Sequence, residues 1–338
     1  MLTLPAATER LRDERPSYRP FRVTVKAVTT LSPSFLRVTF TGEELEDFGT
    51  AGLDQRIKIV LPLEGDGAPA GFDHLRICDP LVVADGSWYE LWRQTPETLR
   101  NPFRTYTVRG IRPQDRELDV DFAVHGDGGP ASRWVRAARP GDEVVIVGPD
   151  DRSTGWRVGL DWHPGSSREL LLVGDETAVP AVCAILESLS PEVRATAFLE
   201  VPDPADRLEL GLDDDTRHRV TWLPRIADQR GARLIAHVRD WAEQNRGVVT
   251  PQALAAHPVG FPVELDESDA RDGILWDSPG APDPAPATEL GRNDFYAWIA
   301  GETQTVVTLR RHLVKELGVD RRRVAFMGYW RHGRAELS

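Results

Sequence analysis

The chain changes rhythm near Gly159, and that change constrains its fold more than any other feature. Before it, short alternating or β-branched runs recur: Phe21–Val25, Phe35–Phe40, Ile57–Leu61, Thr105–Arg109, Leu118–Val124 and Glu143–Val147. Gly and Pro clusters such as 63–69 separate them, and one helix, Ala131–Ala138, is expected among them. Many short strands with a single helix predict a small antiparallel β-barrel. After Gly159, strands and helices alternate: strands at Glu169–Val173, Val193–Val201, Val220–Leu223, Phe295–Ala300 and Val324–Tyr329, helices at Ala178–Leu189, Leu234–Gln244 and Thr303–Leu317. Such alternation predicts a mostly parallel sheet. A length of 338 residues accommodates both units, with boundaries expected at 18–155 and 165–338.

Composition narrows the function. Basic side chains number 41 and acidic ones 53, a net charge of −12, which argues against a nucleic-acid partner or a polybasic membrane protein. Cys78 and Cys183 are too far apart for a CxxC or metal-ligand pair. Apolar runs such as Leu170–Val173 fall far short of the roughly 18 residues a membrane span needs, and residues 1–20 are polar. A soluble, cytoplasmic, monomeric protein without membrane insertion is expected. Residues 251–290 hold seven prolines, eight acids and one base, Arg271; they read as a long acidic loop or insertion.

Four motifs carry chemistry. Arg104, Thr105, Tyr106 and Thr107 precede Val108-Arg109 on a strand, where an Arg and a Tyr two apart can grip a phosphate and offer a ring to a flavin; an ordinary polar edge strand is the alternative. His125-Gly126-Asp127-Gly128-Gly129-Pro130-Ala131-Ser132-Arg133 follows a strand and opens a helix, an anion site for a pyrophosphate or a simple turn capped by Ser132. Gly174-Asp175-Glu176-Thr177-Ala178 is a tight strand-to-helix turn whose exposed N–H groups suit a nicotinamide nucleotide. Asp175 or Glu176 is then placed to hold a ribose hydroxyl and Arg225 a 2′-phosphate. The alternative is a helix start capped by acids. Finally, Ala300-Gly301-Glu302 ends one strand with small residues that admit a nicotinamide, and Tyr329-Trp330 ends another, covering a flavin or lining a cleft; Trp298 and Trp330 as plain core aromatics are the alternative.

Taken together, RTYTVR (104–109), DFAVHGDGGPASRW (121–134), GDETAVPA (174–181), YAWIAGE (296–302) and FMGYWRHG (326–333) resemble the siderophore-interacting protein family, FAD-dependent ferric-siderophore reductases of the ferredoxin-reductase-like superfamily. The resemblance implies an α+β two-domain chain: a six-stranded antiparallel FAD-binding β-barrel, then an α/β parallel-sheet domain for NADPH or NADH. It also implies a ferric siderophore as substrate. Arg104, Tyr106 and Thr107 would hold the flavin and His125, Ala131 and Ser132 its phosphates and nearby groups, with Thr105 and Gly129 of the same motifs beside them. Thr177 and Glu302 would border the nicotinamide, and the motif reading adds Asp175, Ala178, Arg225, Ala300 and Trp330 as cofactor contacts. Lys58, Arg133 and Arg331 would meet the anionic siderophore. Ferric iron binds hard anionic oxygens far more tightly than ferrous iron does, so one electron releases it, and a flavin converts a hydride donor into single-electron steps. No general base and no resident metal are required. A flavin reductase or electron donor to an oxygenase is the nearest alternative, a non-catalytic siderophore carrier the one from another class.

Overall fold

The computed structural model describes residues 11–49, 51–65, 68–124, 129–212, 217–226, 229–250, 275–279 and 295–333. Its first sheet contains β1 (Tyr18–Ser32), β2 (Phe35–Thr41), β3 (Arg56–Val60), β4 (Phe103–Thr107), β5 (Gly110–Arg112), β6 (Glu117–Ala123) and β7 (Glu143–Pro149). The order is β4-β3-β7-β1-β2-β6-β5, antiparallel throughout. The two edge strands are consecutive in the chain. Between them, Val108 donates its N–H to Gln55 on one side and Arg109 to Asp119 on the other, both at 2.9 Å. One segment, 103–112, thus lines both edges of a half-barrel sheet. Seven strands replace the six expected because that segment changes partner partway along.

Alternation decides what the barrel buries: on β3, Ile57 and Ile59 enter the core, together with Phe21, Phe40 and Phe122 and with Val145 and Val147 of β7. The single helix expected here is in fact one of three. Besides α3 (Pro130–Ala137), the β3–β4 connection holds α1 (Pro80–Asp85) and α2 (Trp88–Gln94). Both are too short to show a helical period, although α1 carries its signals: Asp79 accepts from Leu81 N, Pro80 opens the first turn, and Gly86 ends it at φ 78°.

The second sheet combines β8 (Glu169–Gly174), β9 (Arg194–Val201), β10 (His218–Pro224), β11 (Trp276–Asp277), β12 (Phe295–Glu302) and β13 (Val324–Trp330) in the order β10-β9-β8-β12-β13-β11. All pairs are parallel except β11 with β13. Every residue of β12 is buried, as a central strand covered on both faces must be. One face meets α4 (Val179–Ser188), the other α5 (Ala232–Gln244), with the short α6 (Arg246–Val249) after it, and α7 (Thr303–Arg310). The helix expected to reach Leu317 leaves α geometry at Arg311 for a π-helical turn, Arg311–Glu316. Its apolar side chains Val306, Leu309, Leu313 and Leu317, at helical spacing, are buried. Arg310 of the same helix is also buried, with Nη2 2.9 Å from Asp277 Oδ2.

A continuous core joins the two sheets. Phe35, Leu31 and Leu53 of the barrel side pack with Trp162 and the α4 face of the second sheet. Polar ties cross the same seam: Asp206 accepts from Ser32 Oγ at 2.7 Å and Ser34 N at 2.8 Å, and Asp54 Oδ2 accepts from Trp298 Nε1 at 2.9 Å. Among the described residues no helix is long and apolar enough to cross a membrane.

Candidate functional site

On the barrel, the β4 motif sits at one edge of the sheet. Register sets Tyr106 opposite Ile57 and Arg104 opposite Ile59, while Thr105 and Thr107 face Lys58 and Arg56. Tyr106 is half-buried and leans on Phe122, with ring centroids 4.4 Å apart. Phe122 in turn meets Trp134 of α3 at 5.8 Å, and Trp134 stacks on Phe40 at 6.2 Å. This aromatic chain ties the Arg104–Thr107 motif to the start of α3, two segments the sequence could only set side by side. Gly129, with open space where a Cβ would sit, is the N-cap of α3 and brings no capping side chain of its own, and the N–H groups of Ala131 and Ser132 lie in the helix's first turn. Ser132 is therefore not a cap. His125 lies outside the described residues. A helix start with a glycine N-cap, a half-buried Tyr ring and an Arg on the same strand as the Tyr are a donor set that fits a flavin dinucleotide.

In the second sheet, β8 and β12 are neighbours whose helices, α4 and α7, leave to opposite faces. The crevice above their carboxyl ends is where an open α/β sheet binds a nucleotide. Asp175 organises it. Oδ1 accepts from Thr177 N at 2.9 Å and Thr177 Oγ1 at 2.6 Å; Oδ2 accepts from Glu302 N at 2.7 Å and Trp330 Nε1 at 2.8 Å. One carboxylate thereby holds the ends of β8, β12 and β13 together. Gly301, at φ 140°, lies against it: a Cβ there would meet Asp175 Oδ2 at 2.6 Å. Burial, with the charge of Glu176 beside it, pushes the Asp175 carboxyl upward against those hydrogen bonds. Glu302 is buried as well, its Oε2 capping α7 through Thr305 N at 3.0 Å, and Ala300 is buried between Gly174 and Met327.

These contacts correct three expectations. The N–H groups at the start of α4 are not a free anion site, because Ala178 N and Val179 N donate to Asp175 O and Thr177 N to its side chain. Asp175, with both oxygens engaged inside the protein, does not wait for a ribose hydroxyl. Arg225 does not present its charge to a 2′-phosphate: it pairs with Glu176 and, at 3.0 Å, with Glu200, and its side chain is only 9% exposed. Sequence reasoning missed Glu200 and Arg230. Glu200 closes the strand after the Gly174 turn, where a ribose-binding acid is expected, a readable signal; here it accepts Gly231 N at 3.0 Å. Arg230 spans from Glu176 (3.7 Å) to the Trp330 ring (5.5 Å), a contact that no spacing encodes.

The three cations assigned to the substrate are not clustered in one contact. Lys58 donates to Thr105 Oγ1 at 2.5 Å and lies 5.3 Å from the Phe103 ring centroid. Arg133 of α3 pairs with Glu64 at 2.8 Å. Arg331, half-buried, follows β13 directly.

An antiparallel barrel-like sheet joined through a shared core to a mostly parallel sheet with helices on both faces is a two-domain fold also seen in a ferredoxin reductase in carbazole 1,9a-dioxygenase, with a TM-score of 0.54 at 15% identity, over 93% of this chain and 70% of that one. Residues 24–153 match the siderophore-interacting FAD-binding domain and residues 167–333 the siderophore-interacting protein model. The chain belongs to the siderophore-interacting protein family. It is 28% identical over 306 residues to ferric vibriobactin reductase ViuB of Vibrio cholerae, covering 90% of this chain and 87% of the relative. It is also 28% identical over 332 residues to the NADPH-dependent ferric-chelate reductase of Escherichia coli, covering 98% and 99%. The crystal structure of the siderophore-interacting protein SipS from Aeromonas hydrophila superposes with a TM-score of 0.62 at 28% identity, over 95% of this chain and 94% of that one. The barrel is the family's FAD-binding domain, and relatives of the chain are ferric reductases.

Proposed function

We propose that this protein reduces ferric siderophores in the cytoplasm with electrons from NADPH or NADH, residues 18–155 holding FAD and residues 165–338 the nicotinamide. The observation that carries the reading is the tie between Tyr106, Phe122 and Trp134, which gathers the strand motif and the α3 start into one flavin-type cradle beside a nucleotide crevice. Bound there, FAD would accept a hydride and release electrons singly to ferric iron. The balance is one NAD(P)H and two ferric ions giving NAD(P)⁺, two ferrous ions and one proton.

The chain's own part is positioning. Arg104 meets a flavin phosphate, Tyr106 offers its ring, and Thr107, itself buried, supplies hydroxyl or backbone to the flavin edge. Gly129, Ala131 and Ser132 contribute N–H groups to the pyrophosphate. Asp175 makes the crevice rigid, leaving Thr177, Glu302 and Trp330 to border the nicotinamide. Lys58, Arg133 and Arg331 steer the anionic chelate. With Arg225 neutralised by Glu176 and Glu200, this chain supplies no phosphate handle of its own at that position, and NADPH is favoured only through the relative named for it.

Anaerobic spectroscopy tests the reading. The yellow protein should bleach with NADPH or NADH, regain colour on addition of a ferric siderophore, and yield two ferrous ions per nicotinamide in a chelator trap. Bleaching without ferrous iron would leave a flavin reductase; a protein that takes up no FAD would end the proposal.

A further inference from the structure

The crevice above β8 and β12 is rich in carboxylates. Asp175, Glu176, Glu200 and Glu302 are all buried there, and Thr177 N at the start of the α4 turn is already given to Asp175. A nucleotide brings further negative charge in its diphosphate, so the crevice needs a cation with hydrogen bonds to give. Arg225 does not meet that need, because its Nε donates to Glu200 and its Nη2 to Glu176.

Arg230 is different. Its side chain is 39% exposed, and Nη1 lies 3.7 Å from Glu176 Oε1, beyond hydrogen-bond distance. That oxygen is buried and has no hydrogen-bond partner among the described residues. The Arg230 guanidinium makes no hydrogen bond among the described residues either; its other contact is with the Trp330 ring, 5.5 Å from the centroid. A planar fork of five N–H donors is thus uncommitted. The backbone beneath it is fixed. Gly231 N donates to both oxygens of Glu200 at 3.0 Å, and its φ of 73°, with Thr305 Oγ1 2.3 Å from where a Cβ would sit, calls for glycine. The end of β9 and the start of α7 therefore set where Arg230 begins, and only its side chain is left for a ligand to order.

Place decides which phosphate it suits. In an open α/β sheet the diphosphate lies at the turn after the first strand, and the ribose that carries a 2′-phosphate lies near the end of the second. Here those are the Glu176 turn after β8 and the Glu200 end of β9. The Arg230 guanidinium leaves the Glu200 end for Glu176 and Trp330, over the carboxyl ends of β8, β12 and β13. We propose that Arg230 is the ligand of the diphosphate common to NADPH and NADH, exchanging its long contact with Glu176 for paired hydrogen bonds to phosphate oxygens. The proposal rests on the nicotinamide reading of the crevice.

Calorimetric titration of the oxidised, FAD-loaded protein with NADP⁺, NAD⁺ and ADP-ribose reads this contact without turnover. In Arg230→Gln the Kd for all three should rise by the same factor, about tenfold or more, the size of a lost hydrogen bond between charged groups. Arg230→Lys, which keeps the charge without the fork, should recover part of the loss. Flavin content reports whether each variant is folded, and the Lys variant serves where Gln is not. An unchanged Kd in a folded Gln variant, or a loss confined to NADP⁺, which would put Arg230 on the 2′-phosphate, overturns the proposal while wild-type binding leaves the nicotinamide reading standing. A wild type that binds none of the three removes both.

Discussion

Asp54 is the most informative single perturbation. It lies just before β3, 3% exposed, and crosses the seam to Trp298. Oδ2 accepts from Trp298 Nε1 at 2.9 Å and Asp161 N at 3.1 Å, while Oδ1 has no hydrogen-bond partner among the described residues. Burial pushes its carboxyl from the ordinary 3.8 to about 6, the Trp298 hydrogen bond opposing and the Asp161 charge assisting. A carboxyl raised on folding stabilises the native state fully only below its unfolded value, and that stability is lost as pH rises through the folded value. With those two values the ionised group disfavours folding by about 3 kcal/mol at pH 8 and about half as much at pH 5. Asp54→Asn imitates the protonated carboxyl: its amide oxygen still accepts from both N–H groups, without the charge. The variant should therefore be more stable than wild type by about 3 kcal/mol at pH 8, a gap that narrows to about 1.5 kcal/mol at pH 5. Urea titrations followed by tryptophan fluorescence at both pH values measure it. A gap that is equal at the two pH values, or a variant less stable than wild type at pH 8, would refute the argument from burial.

Arg225→Ala should lose about 3 kcal/mol of stability, because it leaves Glu200 buried without its cation and Glu176 with the longer Arg230 contact alone; the ratio of KM for NADPH to KM for NADH should not move, and a stable variant with an altered ratio would restore the phosphate role. Tyr106→Ala should weaken FAD binding about tenfold by fluorescence titration, the loss of one aromatic face, whereas unchanged affinity would place the flavin elsewhere.

Much of the architecture could be read before any coordinates. Strand and helix periods are local, since they reflect which side chains along a few residues must turn inward, so Ile57 and Ile59 on β3 or Val306, Leu309 and Leu313 on α7 were assignable from spacing. The turn at Gly174 and the Arg104–Thr107 strand were legible for the same reason. Helices α1 and α2 escaped because two turns are too short for a period, though Asp79-Pro80 and Gly86 marked the ends of α1.

What spacing cannot carry is which distant group meets a given side chain. Arg225 after β10 looked like a phosphate ligand, and only the arrival of Glu176 and Glu200 from β8 and β9 turns it inward. Asp175 looked available until the ends of β12 and β13 brought Glu302 N and Trp330 Nε1 to it. Trp276 had no reading at all, because its surroundings (Arg56, Asp161 and Tyr329) come from three other parts of the chain. Sequence by itself determined the two sheets, the order of the cofactor motifs and the family; tertiary structure alone decided which charges are neutralised and which remain to meet a ligand. The physical reason is that hydrophobic periodicity is written along the chain, whereas the partner of a buried charge is set by a meeting in space.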